Sequence, residues 1–278
     1  MPQFGGDSEG GDMPLATVNG TELWHDAFGA GPTILLISGL GQNSAAWTPA
    51  RAALSARFRC VIFDNRGTGR SAEPDGPYSI ETMADDTAAL IAHLGLGPVP
   101  VVGWSLGGSV LQALMVRHPD AVAAGVLLNA LPAYTGVQHQ WLDALLALRR
   151  SGAPALAQVV SAMAWGLTGK TLHDHDRALA MAEAALADPH PTSIAGFEAQ
   201  AAGLRVFDAR PRLPEVRCPV LVLCGEEDVL TPPAQSREIA DLIPGARLRL
   251  LPRGGHRMVV EYPDEVVQEI EAFLNALV

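Results

Sequence analysis

Residues 101–110 read VVGWSLGGSV and place one serine between glycines. An apolar β-type run precedes Ser105, and a helix-like run follows it. Glycine inside a regular element costs about 0.5–1 kcal/mol relative to alanine, so these glycines need a reason. Gly103 and Gly107 complete a G-x-S-x-G pattern, in which a sharp strand-to-helix turn raises the serine Oγ above the sheet. The stretch predicts a nucleophilic serine; the alternative is an ordinary turn between strand and helix.

A serine nucleophile needs a base that accepts its proton and an acid that orients the base. Asp228 follows the apolar run at 219–224, and His256 follows the run at 248–252. Because the carboxyl ends of parallel strands meet at one edge of a sheet, we expect both side chains where Ser105 emerges. Ser, Asp, His is one of the chain orders in which such triads occur.

Each member of this candidate triad also has a simpler interpretation. Asp228 would serve equally to cap a helix that starts near Thr231. Glu226 and Glu227 are rivals for the role of the acid. His256, taken alone on a loop, would be a surface histidine.

Acyl transfer also needs two backbone N–H groups for the oxyanion, each typically lowering the barrier by ~3 kcal/mol. Leu106 directly follows the serine, so its amide is the first candidate. The second candidate is Leu40, in the loop Ser38-Gly39-Leu40-Gly41. The flanking glycines allow the backbone of this loop to approach closely.

Apolar runs recur along the chain without the alternation of half-buried strands. Helix-like patterns fill most intervals: Ser79 caps one over 79–94, Thr231-Pro232 opens another and Pro263 a third. Asn19-Gly20 predicts a hairpin near the start. The alternation indicates an α/β fold with a mostly parallel central sheet and helices on both faces. The predicted strands are TILLIS (33–38), CVIFD (60–64), VPVVGW (99–104), GVLLN (125–129), PVLVLC (219–224) and LRLLP (248–252).

One interval interrupts the alternation of strands and helices. Residues 131–210 contain no comparable β run, and 19 of these 80 residues are alanine, the best helix former. The pattern predicts an inserted helical cap over 131–210, within an α/β core made of 15–130 and 211–278. Residues 1–14 are rich in glycine and acidic side chains and are expected to form a disordered tail.

Composition narrows the classes of function. The 278 residues are 48% hydrophobic, and 19 basic against 30 acidic side chains give a net charge of −11. This charge argues against nucleic-acid binding, which needs a basic surface. The N-terminus does not resemble a signal peptide, and no apolar run approaches the ~18 residues that span a bilayer, so we expect a cytoplasmic protein that does not bind membranes. Cys60, Cys218 and Cys224 are expected to be small buried hydrophobes.

Five motifs together resemble the α/β-hydrolase fold family, especially its capped esterases and enol-lactonases. They cover the predicted core and leave 131–210 unmatched. The motifs are SGLGQNSAAW (38–47), FDNRGTGRS (63–71), GWSLGG (103–108), GEEDVLTP (225–232) and GGH (254–256). The resemblance implies that Ser105, Asp228 and His256 form a catalytic triad. It also implies that the amides of Leu40 and Leu106 bind the oxyanion. Asp64, Asn65 and Arg66 would brace a loop near the site without reacting.

The chain departs from this family at one position. The family usually has His-Gly where this chain has Ser38-Gly39. That histidine normally orients the oxyanion loop. The departure therefore concerns the rigidity of the loop more than the chemistry of the triad.

These residues predict a serine hydrolase that cleaves a carboxylic ester or lactone through an acyl-enzyme on Ser105. An apolar substrate is expected because the predicted cap is rich in alanine and leucine. The expected partner is a small molecule, and the chemistry calls for no metal or organic cofactor. Alternatives for the same triad are thioester release, perhydrolysis, C–C cleavage and a non-hydrolytic cyclisation. A ligand receptor that has lost turnover is an alternative of another class.

Further residues are candidates for the substrate pocket: Ser38, Trp47, Trp104, Trp141 and Trp165. For Trp104 and Trp165 a role in the core is equally expected. The run His-Asp-His-Asp at 173–176 has residue types that bind metals. Its two histidines would point to different sides of a helix, so we expect a solvated face there.

Overall fold

Eight strands form one sheet in residues 14–277, the part of the chain that the computed structural model describes. Residues 1–13, which hold most of the predicted tail, lie outside the described residues, as does residue 278. The strands are β1 (Leu15–Val18), β2 (Thr21–Phe28), β3 (Thr33–Ile37), β4 (Arg59–Phe63), β5 (Val99–Trp104), β6 (Val122–Leu128), β7 (Val220–Gly225) and β8 (Arg247–Leu251).

The strand order across the sheet is β1-β2-β4-β3-β5-β6-β7-β8. The pairs β1–β2 and β2–β4 are antiparallel, and all neighbours from β4 onward are parallel. The predicted α/β fold with a mostly parallel sheet is therefore confirmed. The β1–β2 hairpin turns at Asn19 and Gly20, whose φ angles of 45° and 72° fit the type I′ turn that Asn-Gly favours.

Helices follow most of the parallel strands. The second helix begins after Ser79, whose hydroxyl accepts a hydrogen bond from Thr82 N at 3.0 Å, as the sequence predicts. The helix expected from Thr231-Pro232 begins one residue later, at Pro233, because Pro232 itself precedes a proline and keeps an extended ψ of 153°. The helices are α1 (Arg51–Ser55), α2 (Ile80–His93), α3 (Leu106–Arg117), α4 (Gly136–Arg150), α5 (Ala155–Gly166), α6 (Gly169–His173), α7 (His175–Leu186), α8 (Ile194–Val206), α9 (Pro233–Leu242), α10 (Met258–Glu261) and α11 (Pro263–Asn275).

The sheet is buried on both faces. Val101 and Val102 are neighbours on β5, yet they enter two different apolar clusters because successive side chains of a strand point to opposite faces. Strand β8 is the exception to the predicted two-sided burial. It lies at the edge of the sheet and exposes Arg247 and Arg249, and of its five residues Leu251 alone is buried.

The three cysteines are free thiols. Cys60 and Cys224 are buried in the sheet, where burial raises the pKa of each thiol to about 12. Cys218 is partly buried, and burial raises its pKa as well. A thiol with a raised pKa is a poor nucleophile near neutral pH, so these cysteines fit the core role that the sequence predicts.

Residues 131–210, which we call the helical insert, carry helices α4 to α8 between β6 and β7. A bridge pairs Ala133 with Asp208, and Ala209 N donates to Pro132 O at 2.8 Å. The chain therefore leaves and re-enters the sheet at adjacent points. Among the helices of the described residues, none is long and apolar enough to cross a membrane.

Candidate active site

Ser105 lies in a sharp turn between β5 and α3. Its φ of 56° and ψ of −116° fall in a region that a non-glycine residue rarely adopts. The turn brings backbones so close that a Cβ on Gly103 would lie 2.3 Å from Gly107 O, and one on Gly107 would lie 2.2 Å from Ile37 O. Residues 103 and 107 are therefore glycines because the backbone segments of the strained turn pack too closely to leave room for a Cβ.

Gly107→Ala is expected to lower both stability and activity. Its new Cβ meets a carbonyl of β3 that cannot move aside cheaply, and overpacking of this kind costs about 1–3 kcal/mol. The matched control is Gly136→Ala at the start of α4, where a Cβ would meet nothing within 4 Å. Urea unfolding and esterase assays of both variants check the prediction, which fails if the two behave alike.

The three residues of the predicted triad meet at the carboxyl edge of the sheet, after β5, β7 and β8. Ser105 Oγ lies 2.9 Å from His256 Nε2, and His256 Nδ1 lies 2.9 Å from Asp228 Oδ2. Asp228 and His256 are buried, whereas Ser105 remains partly exposed. In this arrangement the imidazole can accept the serine proton while its other nitrogen donates to the carboxylate.

The two oxygens of Asp228 have separate partners. Oδ1 accepts from the amides of Leu230 and Thr231 at 2.9 and 2.8 Å, while Oδ2 accepts from the Thr231 hydroxyl at 2.6 Å and from His256. Asp228 does not cap α9, which begins at Pro233 without a side-chain cap; its Oδ1 instead holds the turn that precedes the helix. Burial opposes ionisation of this group, but the charge of His256 and the hydrogen bonds from His256 and Thr231 outweigh it and lower the pKa of Asp228. The rivals Glu226 and Glu227 are both exposed.

The loop that carries His256 is held on two sides. Trp104 Nε1 donates to His256 O at 2.9 Å from the end of β5. Gly255 N donates to Oε2 of the buried Glu261 at 3.1 Å, and Glu261 Oε1 accepts from the amide and hydroxyl of Thr168. The backbone that carries the imidazole is thus held both from the sheet and from the helical insert.

Asn129 belongs to the site and was not predicted from the sequence. It follows β6 with a φ of 46°, and its Nδ2 donates to Asp228 Oδ2 at 2.5 Å and to Gly255 O at 3.3 Å. Its amide therefore joins the acid to the loop of the base. The sequence did contain one indication, because Asn129 is a polar residue at the carboxyl end of the apolar run 125–129. The sequence analysis assigned it to the strand.

Asn129→Asp is expected to lower kcat more than Asn129→Gly does. The new carboxyl lies where Nδ2 now donates to Asp228 Oδ2 at 2.5 Å, and two carboxylates this close oppose each other's ionisation, so Asp228 orients His256 less well. The control Asn129→Gly tolerates the positive φ, removes the same donor and adds no carboxyl. Steady-state hydrolysis of one ester by both variants measures this; an equal or smaller loss in Asn129→Asp would refute the electrostatic explanation.

The loop of the second oxyanion candidate forms a tight turn against the nucleophile. A Cβ built on Gly39 would lie 3.4 Å from Ser105 Cβ, and Gln42 N donates to Gly39 O at 3.1 Å. Within residues 14–277 the structure gives no hydrogen bond from the amide of Leu40 or Leu106 to another protein group. Both amides therefore lack a protein acceptor in this part of the chain, as the predicted oxyanion role requires.

Three of the five pocket candidates lie in the core rather than at a pocket surface. Ser38, Trp47 and Trp104 are at most 1% exposed. Trp47 Nε1 donates to Ser38 Oγ at 3.0 Å, and Ser38 Oγ donates to the carbonyl of Asn43 at 3.1 Å, so the polar atoms of this pair are used internally. The indole N–H of Trp104 is taken by the His256 loop.

The other two pocket candidates lie on the helical insert. Trp141 on α4 is partly buried against an apolar cluster that includes Leu142 and Phe197 and that also contacts Leu40. Trp165 on α5 is 38% exposed. Only Trp141 is thus tied by packing to the cluster that adjoins the oxyanion loop.

Of the three residues expected to brace a loop near the site, Asp64 and Arg66 form hydrogen bonds through their side chains. Asp64 is fully buried, and its carboxylate accepts from Ser44 N at 2.8 Å and from Arg70 N at 2.9 Å. Arg66 pairs with Asp86 of α2 at 2.5 and 2.6 Å. The neighbouring Asn65 is buried, and its carbonyl accepts from the amide and hydroxyl of Thr68.

The acidic and histidine run at 173–176 spans the end of α6 and the start of α7. All four residues are exposed, and Asp174 Oδ1 accepts from Arg177 N at 3.2 Å as the cap of α7. The run therefore matches the expected solvated surface.

Comparison with known proteins agrees with the geometry. Residues 32–263 match the family model of the alpha/beta hydrolase fold. A candidate carbamate hydrolase, RutD, of Caulobacter sp. (strain K31) is 34% identical over 275 residues, which cover 95% of this chain and 98% of that protein. The solved enol-lactonase from Burkholderia xenovorans LB400 is 31% identical with a TM-score of 0.83, covering 94% of this chain and 100% of its own. A thermophilic esterase from Thermogutta terrifontis is 27% identical with a TM-score of 0.82, covering 96% and 99%.

Proposed function

The chain belongs to the α/β-hydrolase fold family, and we propose that it hydrolyses a carboxylic ester or lactone of apolar character through an acyl-enzyme on Ser105. The observation that carries this proposal is the pair of 2.9 Å contacts that joins Ser105 Oγ to His256 and His256 to Asp228. Nucleophile, base and orienting acid lie in hydrogen-bonding order, and the nucleophile is partly exposed.

In the proposed reaction, His256 Nε2 accepts the proton of Ser105 Oγ as the oxygen attacks the carbonyl carbon. The resulting oxyanion accepts hydrogen bonds from the amides of Leu40 and Leu106. His256 then gives its proton to the leaving alcohol, and Asp228 stabilises the imidazolium through Nδ1. Water, activated by the same base, releases the acid from the serine. In a lactone the leaving alcohol stays attached to the product.

The helical insert supports an apolar substrate. Helices α4 and α8 contribute a buried cluster that includes Leu142, Leu145 and Phe197, and Leu40 of the oxyanion loop packs against it. We propose that residues 131–210 act as the cap of the active site. The substrate carbonyl would then lie between the polar edge of the sheet and an apolar wall of the cap.

A hydrolysis panel tests this proposal. The purified protein is given p-nitrophenyl esters of increasing chain length, aliphatic methyl esters, lactones and, because of the relative named for carbamates, N-alkyl carbamates. We expect turnover of esters or lactones that improves with the apolar length of the acyl group and stops after treatment with a fluorophosphonate. A higher kcat/KM for carbamates than for every ester and lactone, or no turnover of esters and lactones, would overturn the proposed substrate class.

A further inference from the structure

Gln200 of helix α8 contacts the oxyanion loop although it is 159 residues away in sequence. Its side chain is 0% exposed; Oε1 accepts from Gly41 N at 3.0 Å, and Nε2 donates to Arg66 O at 2.9 Å. Because one partner is a donor and the other an acceptor, only one orientation of the amide satisfies both. We propose, on the basis of the function proposed above, that Gln200 is a positioning residue that holds the oxyanion hole in its active geometry.

The turn that Gln200 contacts is the one that presents the Leu40 amide. Gly39 O accepts from Gln42 N, and Gly41 occupies the third position of the turn with a φ of 63°, as a type II turn requires. The Gly39 carbonyl and the Leu40 N–H belong to the same trans peptide and therefore point in opposite directions. With the carbonyl engaged inside the turn, the Leu40 N–H points out of it.

Gln200 restrains the central peptide of this turn. A type II turn converts to type I by rotation of the peptide between Leu40 and Gly41, and the hydrogen bond from Gly41 N to Gln200 opposes that rotation. Phe197, one helical turn earlier on α8, adds a steric restraint. Its ring fills the space beside Gly41, where a Cβ would lie 2.4 Å from Phe197 Cδ2.

The other end of the Gln200 amide is also anchored to the core. Its acceptor is the carbonyl of Arg66, whose guanidinium forms a double hydrogen bond with the nearly buried Asp86 of α2. The amide thus connects a firmly held segment of the core to the oxyanion loop. Ser38 stands where the family usually has a histidine. Within residues 14–277 its hydroxyl bonds to Trp47 and Asn43, whereas Gly41 N bonds to Gln200 of α8.

This contact makes the oxyanion hole depend on the helical insert. If α8 moves away from the core, Gly41 N loses its acceptor and the turn loses the Phe197 ring that packs on it. The hole is therefore completed only when α8 is packed against the loop.

Gln200→Met tests the proposal, because methionine keeps the length and volume of the side chain but cannot accept from Gly41 N. We expect kcat for the best ester to fall by about 10- to 100-fold with KM nearly unchanged, a smaller loss than the ~10²–10³-fold of removing a whole oxyanion donor. The second measurement compares an ester with its thionoester, whose sulfur is a weak hydrogen-bond acceptor. The preference for the oxygen ester should fall in the variant, which a merely structural role would not cause.

The control is Ser193→Ala, at the N-cap of the same helix. Ser193 caps α8 by accepting from Gly196 N and donates to Glu73, but it contacts neither Gly41 nor Gln200. This variant should melt at a lower temperature and keep both kcat and the oxygen preference. A fall of that preference in Ser193→Ala equal to that in Gln200→Met would overturn the proposal.

The outcomes also separate this inference from the proposed function. Loss of turnover in Ser105→Ala together with wild-type kcat and oxygen preference in Gln200→Met would overturn only the role of Gln200. If Gln200→Met does not fold, Gln200→Asn is measured in the same way, because its amide is one methylene too short to reach Gly41. An undiminished preference for the oxygen ester in that variant would likewise overturn the proposal.

Discussion

Ser105→Ala is expected to lower kcat by about 10⁶-fold for any ester that the wild type hydrolyses. Alanine leaves no oxygen 2.9 Å from His256 Nε2, so the base has no nucleophile to activate. The residual rate would come from the oxyanion amides and from binding alone. The side chains of a catalytic triad act as a unit, so the double variant Ser105→Ala/His256→Ala should have a kcat only slightly lower than that of Ser105→Ala. Steady-state hydrolysis of a p-nitrophenyl ester by both variants measures this.

The matched control is Ser109→Ala, four residues further along the chain. Ser109 is fully buried, unlike the partly exposed Ser105, and among the described residues its Oγ has no hydrogen-bond partner. We therefore expect wild-type turnover and unchanged stability from this change. Retention of more than about 1% of the wild-type kcat in Ser105→Ala would contradict the nucleophilic role, because triad losses are several orders larger.

Asp228→Asn is expected to lower kcat by about 10⁴-fold. An amide that receives hydrogen bonds from Leu230 and Thr231 on its oxygen must turn its N–H₂ toward His256 Nδ1. The imidazole is then held in the tautomer that carries its proton on Nε2 and cannot accept the proton of Ser105. We therefore expect the variant to lose activity because its imidazole carries the proton on the wrong nitrogen, while the fold is largely retained.

Glu227→Gln is the control for Asp228→Asn. Glu227 is adjacent in sequence and exposed, so removing its charge should change kcat by less than about twofold. The two variants are compared by kcat and by thermal unfolding. Should Glu227→Gln or Glu226→Gln abolish turnover while Asp228→Asn stays active, the acid has been assigned to the wrong carboxylate.

The meeting of Ser105, Asp228 and His256 was predictable because each follows a recognisable apolar run. The carboxyl ends of parallel strands converge, so a position directly after such a strand was enough to place each residue at one edge. The two glycines of the serine turn added a local signal, since their close contacts leave no room for a Cβ. These are short-range patterns combined with one rule of sheet geometry.

Gln200 and Asn129 were not predictable on the same grounds. Gln200 bonds to a backbone N–H and a backbone carbonyl, groups that almost every residue has, so its partners leave no pattern in the sequence. The position of α8 is in addition set by tertiary packing. Asn129 looks like the last residue of a strand in the sequence, and its role becomes visible only from its hydrogen bond to Asp228 in the folded protein.

The tryptophans show a limit of composition as a guide to binding sites. Trp47 and Trp104 have the residue type of a pocket lining, yet their rings pack edge to face with centroids 6.0 Å apart inside the core. A buried indole needs a partner for its N–H, and each of these found one within the protein, at Ser38 Oγ and His256 O. Their contribution is to support the loops of the site.

The most direct measurement is the mass of the protein during turnover of an ester with a bulky, slowly released acyl group. The sample is quenched in acid within the first turnover, digested and mapped by mass spectrometry. The proposed mechanism predicts one added acyl group on the peptide that contains Ser105, with no such adduct in Ser105→Ala. Complete hydrolysis without a covalent adduct at any time, or an acyl group on a different residue, would contradict it.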